Sequence, residues 1–158
     1  MPRAMKPGQM KFPLRIPFVE ELGLELWAFG GGHAELRVDL AESHLNSWEV
    51  AHGGVLMTML DVAMAHAARS QSSHSPVDAP GVVTLEMKTT FMRPGQGVLR
   101  AVGTLLHKTT TLAFTEGRVL NDAGLLCAHA TATFKFLRAL PTHGRRSQAL
   151  QHNSEDTP

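Results

Sequence analysis

The sequence predicts an α+β domain: an antiparallel sheet of about six strands wrapped around one long central helix. Three observations lead there. The stretch from about His52 to Ser70 is helix-length and apolar on every side, with Asp61 as its one carboxylate. The segments flanking it alternate apolar and polar residues with the period of a strand. The strand-like runs that follow the helix are joined by short connections, which favours antiparallel pairing. A helix with no hydrophilic face is normally covered by the rest of its protein, and one sheet can cover it by curling around it.

Taken in order, residues 1–16 are rich in Pro, Lys and Arg and read as a flexible lead-in. Pro17 to Leu22 reads as a short helix, with Pro at its first position and acids in its first turn. Gly23 to Phe29 reads as a strand and Gly30-Gly31-Gly32 as a turn. From His33 to Leu40 the alternation is complete: Ala34, Leu36, Val38 and Leu40 share one face, and His33, Glu35, Arg37 and Asp39 the other. A loop spans Ala41 to Ala51, and another spans Gln71 to Gly81 after the long helix. Four strand-like runs close the domain: Val82 to Met92, Val98 to Leu106, Leu112 to Leu120 and Leu125 to Leu137. Asn121-Asp122-Ala123-Gly124 marks a hairpin between the last two. In the last run Ala128, Ala130, Ala132, Phe134 and Phe136 fall on one face. The domain is thus expected over residues 17–137, and residues 138–158, polar and poor in apolar side chains, as a disordered tail.

The 158 residues are enough for one domain with its own core. A formal net charge of +1 lacks the basic excess of a nucleic-acid binder. A single cysteine, Cys127, forms no internal disulfide and gives no sign of an oxidising compartment. No signal-peptide core and no membrane-length apolar run is visible, so a cytoplasmic protein with no membrane partner is expected.

The chemistry concentrates on the long helix. A lone carboxylate among apolar residues is costly unless it is paired or used. His52-Gly53-Gly54 opens the helix where backbone N–H groups have no intrahelical partner, and the glycines let a ligand oxygen come close. That is the positive end of the helix dipole, suited to a carbonyl oxygen that gains charge during reaction. Asp61 is then a candidate general base or nucleophile. Gly53 and Asp61 are eight residues apart, about 12 Å along a helix axis, too far for one carbonyl to meet both. A second copy of the helix lying antiparallel would bring one protomer's Gly53 to its partner's Asp61, so a symmetric dimer is the expected minimal unit. Against this stand plainer readings: Asp61 capping a loop or bonding Thr58, and the glycines making only a tight turn.

Asn46-Ser-Trp-Glu-Val-Ala-His52-Gly53-Gly54, followed after six residues by Asp61, resembles the motif of the hotdog-fold acyl-CoA thioesterases, and in particular the phenylacetyl-CoA thioesterase branch. Val83-Thr84 through Phe91-Met92-Arg93-Pro94 resembles the strand that follows the helix in that family. The likeness spans roughly Pro17 to Leu137. It implies that Gly53 polarises a thioester carbonyl, that Asp61 acts from the facing subunit, and that Asn46 helps place the thioester or the water. It implies that Thr84 hydrogen-bonds near the attacking water, that His52 fixes the loop–helix junction, and that Arg93 and Lys108 meet the phosphates of coenzyme A. It favours a tetramer. Two features stand out: Glu49, where many relatives carry a small or neutral residue, and an aspartate at position 61, as in the phenylacetyl-CoA branch, rather than the glutamate of another branch that acts on aromatic acyl-CoAs such as 4-hydroxybenzoyl-CoA.

Gly54 and Met57 complete the expected substrate-binding set, Met57 as core or acyl-pocket lining. The nine histidines form no metal-binding pattern, so neither a metal nor a cofactor is expected. His66 reads as a buried, hydrogen-bonded side chain. Cys127 and His129 share a strand face by spacing, with Cys127 read as core. Arg145-Arg146 reads as solvated tail. Two further classes of function remain beside hydrolysis: a non-catalytic acyl-CoA-binding protein, which would need no acid at position 61, and a hydratase on a related fold, whose pattern lacks His-Gly-Gly.

Overall fold

The computed structural model describes residues 4–73, 76 and 79–137. The elements follow the order α1 (Pro17–Glu21), β1 (Glu25–Gly30), β2 (His33–Asp39), α2 (Gly53–Ser70), β3 (Val82–Phe91), β4 (Val98–Lys108), β5 (Leu112–Leu120) and β6 (Leu126–Phe136), with a short 3-10 turn at Glu42–His44. The strands form one sheet in the order β1-β2-β4-β5-β6-β3, antiparallel at every pairing. This is the hotdog arrangement. The tail from residue 138 onward, with His143, His152 and Arg145-Arg146, lies outside the described residues, as does His74.

Alternation decides which faces meet. Ala34, Leu36 and Val38 of β2, Leu99 and Ala101 of β4, and Ala128, Ala130, Ala132 and Phe134 of β6 are buried against Leu56, Met59, Leu60, Ala63 and Met64 of α2. The approach is closest at Gly103, where a Cβ would overlap the Ala63 carbonyl. Only glycine lets helix and sheet backbones meet there.

The segment Arg93-Pro94-Gly95 ends β3 and carries the chain from this edge strand, paired with β6, to β4 beside β2. Along the way Ala51 N–H donates to the Gly95 carbonyl and Leu40 N–H to the Gly97 carbonyl, so the crossover is held against the loop that leads from β2 into α2. One expectation needs revision: α2 is not covered on every side. Gly54 and Met57 are exposed, and Thr58, Asp61, Val62 and Ala65 only half-buried, forming one stripe at helical spacing. Beside it, β3 leaves Val83, Leu85 and Phe91 43%, 54% and 50% exposed. The sheet wraps the helix incompletely.

The lead-in expected to be flexible makes several attachments to the domain. Met10 bridges to Leu26, Lys6 pairs with Glu25 at 2.9 Å, and Phe12 meets the His66 ring edge-on at 5.4 Å.

Candidate active site

Asp61 lies in the middle of α2 on its uncovered stripe. It is half-buried in the protomer rather than fully enclosed, because the sheet stops short of it. The Thr84 hydroxyl, from β3, donates to Asp61 Oδ1 at 2.7 Å. Thr84 therefore touches the acid itself, a closer role than a place near the water. A bulge between Thr84 and Glu86 breaks the register of β3 at this point. Thr58, the other possible partner, gives its hydroxyl to the Gly54 carbonyl instead, at 2.9 Å. Asp61 and Thr84 line a cavity of about 590 Å³, whose other walls include Leu14, Ile16, Val62 and Ala65.

The start of α2 is built by His52. Its Nδ1 accepts the Gly54 N–H at 2.9 Å, and its carbonyl accepts from Val55 and Leu56. His52 thus fixes the junction. It also corrects the place given to Gly54: that N–H is already used and is not open to a substrate. The Gly53 N–H has no hydrogen-bond partner among the described residues. Phe91 packs over Gly53 so closely that a Cβ there would lie 3.4 Å from the ring. Gly53, Asn46, Phe91 and Arg93 line a second cavity of about 330 Å³.

Asn46 is tied into its own loop. Its Oδ1 accepts from Trp48 N–H at 2.9 Å and Val50 N–H at 3.4 Å, closing an Asx-type turn. The group left to meet a ligand is the side-chain NH2, a donor. Glu49, within this turn, is exposed and holds a φ of 59°, a conformation that favours glycine. It makes no ion pair among the described residues.

The other expected residues divide. Arg93 borders the Gly53 cavity, with Nη1 donating to the Leu126 carbonyl at 2.9 Å. Lys108 lines neither cavity; its amine donates to Ser72 at 2.9 Å, just past the far end of α2. Met57 is 39% exposed on the open stripe, outside the core and outside both of these cavities. Cys127 is buried beside Ala128, and burial pushes its thiol pKa up, as suits a packed residue. A register shift near the start of β6 breaks the face it was expected to share with His129, which instead faces Glu116 at 3.6 Å.

Sequence reasoning passed over Phe91 and His66 as site walls. The aromatic before Met92-Arg93-Pro94 was the available signal for the first. His66, on α2, gave none beyond its place in an apolar helix.

The acid and its hydroxyl partner therefore occupy one cavity, and the free helix N–H with the Asn46 amide another, with no lining residue in common. One half can bind and activate a proton-bearing nucleophile; the other can stabilise a charged oxygen. A model of the thioesterase superfamily matches residues 49–128, a span that includes Gly53, Asp61, Thr84, Phe91 and Arg93 but begins after Asn46. The chain belongs to the thioesterase superfamily. Among solved structures, this thioesterase-superfamily chain is similar to a conserved protein from Pseudomonas aeruginosa, at 30% identity over 79% of this chain and 97% of that one, with a TM-score of 0.72. It is similar to a mutant of the phenylacetic acid degradation protein PaaI from Thermus thermophilus, at 26% identity over 77% and 100% of the two chains and a TM-score of 0.68. A thioesterase from Haemophilus influenzae shares the fold, at 21% identity over 80% and 87% of the chains and a TM-score of 0.71. No curated protein matches.

Proposed function

We propose that this protein hydrolyses the thioester of an aryl- or medium-chain acyl-CoA to the free acid and coenzyme A, with a homodimer as its minimal active unit. One observation carries the reading. The two halves of the chemistry sit in separate cavities, yet Asp61 lies on the stripe of α2 that the sheet leaves uncovered. A second α2 packed antiparallel on that stripe covers apolar surface and joins each Asp61 to its partner's Gly53. Assembly into a tetramer and a cytoplasmic location fit the same reading; among the described residues no helix is long and apolar enough to cross a membrane.

The thioester carbonyl accepts from the Gly53 N–H, which strengthens as the oxygen becomes negative. The Asn46 NH2 supplies a second donor for the thioester or the water. Asp61 takes a proton from water as the water adds to the carbonyl carbon, or attacks that carbon itself to give an anhydride that water then opens. The tetrahedral adduct collapses with cleavage of the carbon–sulfur bond. The thiolate leaves without a strong acid because a thiol is far more acidic than an amine. Thr84, donating to one Asp61 oxygen, orients the carboxylate so that the other faces the substrate. Arg93 fits a contact with the coenzyme's phosphates.

The test is thiol release from a panel of aryl- and medium-chain acyl-CoAs by wild type and Asp61→Asn. Hydrolysis that falls at least 100-fold in the variant is the expected result, on the order of a lost general base. Full activity in Asp61→Asn overturns it, and tight acyl-CoA binding without turnover in the wild type would make the protein a binding module instead.

A further inference from the structure

The proposed hydrolysis makes no use of His44, yet this residue holds the loop that carries both donors. It lies two residues before Asn46, at the end of the 3-10 turn Glu42–His44, and is only 6% exposed. A buried polar side chain is costly unless it is hydrogen-bonded. The Ala41 N–H donates to His44 Nδ1 at 3.0 Å, so that nitrogen is an acceptor and carries no hydrogen. The His44 N–H returns to the Ala41 carbonyl at 2.9 Å. Ring and backbone together close this turn on Ala41.

The backbone of His44 also reaches the start of α2. His52 N–H donates to the His44 carbonyl at 2.8 Å, Leu45 bridges to Ala51, and Asn46 N–H donates to the Val50 carbonyl at 2.9 Å. Residues 44–46 and 50–52 are thus two legs of one short antiparallel ladder. The Asn46 turn closes one end, and Gly53 follows directly from the other. The crossover lies against the second leg: Ala51 N–H donates to the Gly95 carbonyl at 2.9 Å, and a Cβ on Gly95 would lie 3.2 Å from the Ala51 Cβ. Asn46, Ala51, Gly53 and Gly95 all line the second cavity. The ladder therefore sets the Asn46 amide and the Gly53 N–H relative to each other, and His44 fastens its open end. Small errors matter here, because a misplacement of about 1 Å in a reacting geometry can cost about 100-fold in rate.

We propose that His44 is a positioning residue for the oxyanion half of the site. Its Nδ1 fixes the turn, and its carbonyl carries that fixed point to His52, so that the Asn46 NH2 and the Gly53 N–H converge on one oxygen. This rests on the thioesterase reading above. It adds a residue that lines neither the Asp61 cavity nor the Gly53 cavity and acts only through the groups it holds.

The experiment measures kcat and KM for phenylacetyl-CoA and hexanoyl-CoA, together with Tm, in wild type, His44→Leu, His44→Asn and His44→Gln. Leucine offers the Ala41 N–H no acceptor. The asparagine oxygen lies as many bonds from the backbone as Nδ1, and the glutamine oxygen one bond farther. His44→Leu should lose about 10- to 100-fold in kcat with KM changed by less than about threefold, the pattern of donors misplaced in the transition state. His44→Asn should keep most of kcat, and His44→Gln should fall with His44→Leu. A merely structural role lowers Tm and leaves kcat per folded protein unchanged; that result overturns the proposal, as does His44→Gln equal to His44→Asn. Should His44→Leu fail to fold, the comparison of asparagine with glutamine decides. Should neither ester release thiol, the hydrolytic reading fails by itself, and His44 is judged by amide hydrogen exchange. Exchange at Ala51 and His52 should then rise at least about tenfold in His44→Leu relative to β4 and β5, and stay near wild type in His44→Asn. Unchanged exchange at those two amides overturns the proposal.

Discussion

The Thr84 hydroxyl donates a 2.7 Å hydrogen bond to Asp61 Oδ1, joining the edge strand β3 to the middle of α2. A donor to a carboxylate at this length belongs to the stronger class of hydrogen bond. It holds one oxygen and frees the other. Thr84→Val is therefore expected to lower kcat about tenfold, the scale of one lost hydrogen bond, with a smaller change in KM. Thr84→Ser should recover most of the loss. Steady-state kinetics of the three proteins check this, and a Thr84→Val enzyme with wild-type kcat would count against an orienting role.

Gly53 is the first residue of α2, with His52 as its cap at φ −60° and ψ 138°. Proline is well suited to a first helical position, and the His52 backbone already lies in the region a following proline requires. With Gly53→Ala as the control, which brings a Cβ to the Phe91 ring but keeps the N–H, Gly53→Pro thus removes one N–H and keeps the helix backbone, while its own ring meets Phe91. The expected result is a loss of about 100-fold or more in kcat, typical of a missing oxyanion donor. Mixed with Asp61→Asn, which is expected to be inactive for a different reason, it should regain activity after subunit exchange, since a mixed dimer holds one intact site. Mixtures no more active than their parts would place both groups in one chain's site.

The His52 ring caps α2 through the Gly54 N–H. His52→Ala should cost about 1 kcal/mol, as for other side-chain caps. Thermal melting of the two proteins measures it, and an unchanged Tm would show that water replaces the cap without loss.

His66 ties stability to pH. Burial and Arg69 lower its folded pKa from 6.5 to about 4. Between those values the unfolded chain binds a proton that the folded protein refuses. Its contribution is complete above pH 6.5 and is lost progressively as pH falls to 4, amounting to about 3 kcal/mol in all. Urea denaturation at pH 7 and pH 4.5 should show a smaller stability difference for His66→Gln than for wild type. Equal differences in the two proteins would refute the assignment.

Much of this molecule is legible in its periodicities. The inward faces of β2 and β6 follow from strict alternation, and the bounds of α2 from an apolar run that starts at a glycine pair. The hairpin at Asn121 was readable from its turn residues; Asn121 Oδ1 accepts from both Ala123 and Leu125. The position of β3 was not, because strand order is set by long-range pairing and the Arg93-Pro94-Gly95 link looks like any turn. The same holds for the site. The eight-residue separation of Gly53 and Asp61 already implied two half-sites. That Gly54 N–H is taken by His52, and that Asn46 spends its oxygen on its own loop, depends on side-chain torsions that spacing does not encode. The Asn46 turn was the more accessible of the two, since asparagine commonly bonds backbone a few residues on.

The contact of Gly103 with the Ala63 carbonyl carries a longer consequence. Where two main chains touch, no side chain intervenes to be enlarged or trimmed. The height of the helix above the strands is fixed there by peptide geometry, two residues from the acid. A change in side-chain size elsewhere in the core leaves that backbone contact in place, and with it the elevation of the Asp61 carboxylate above the sheet.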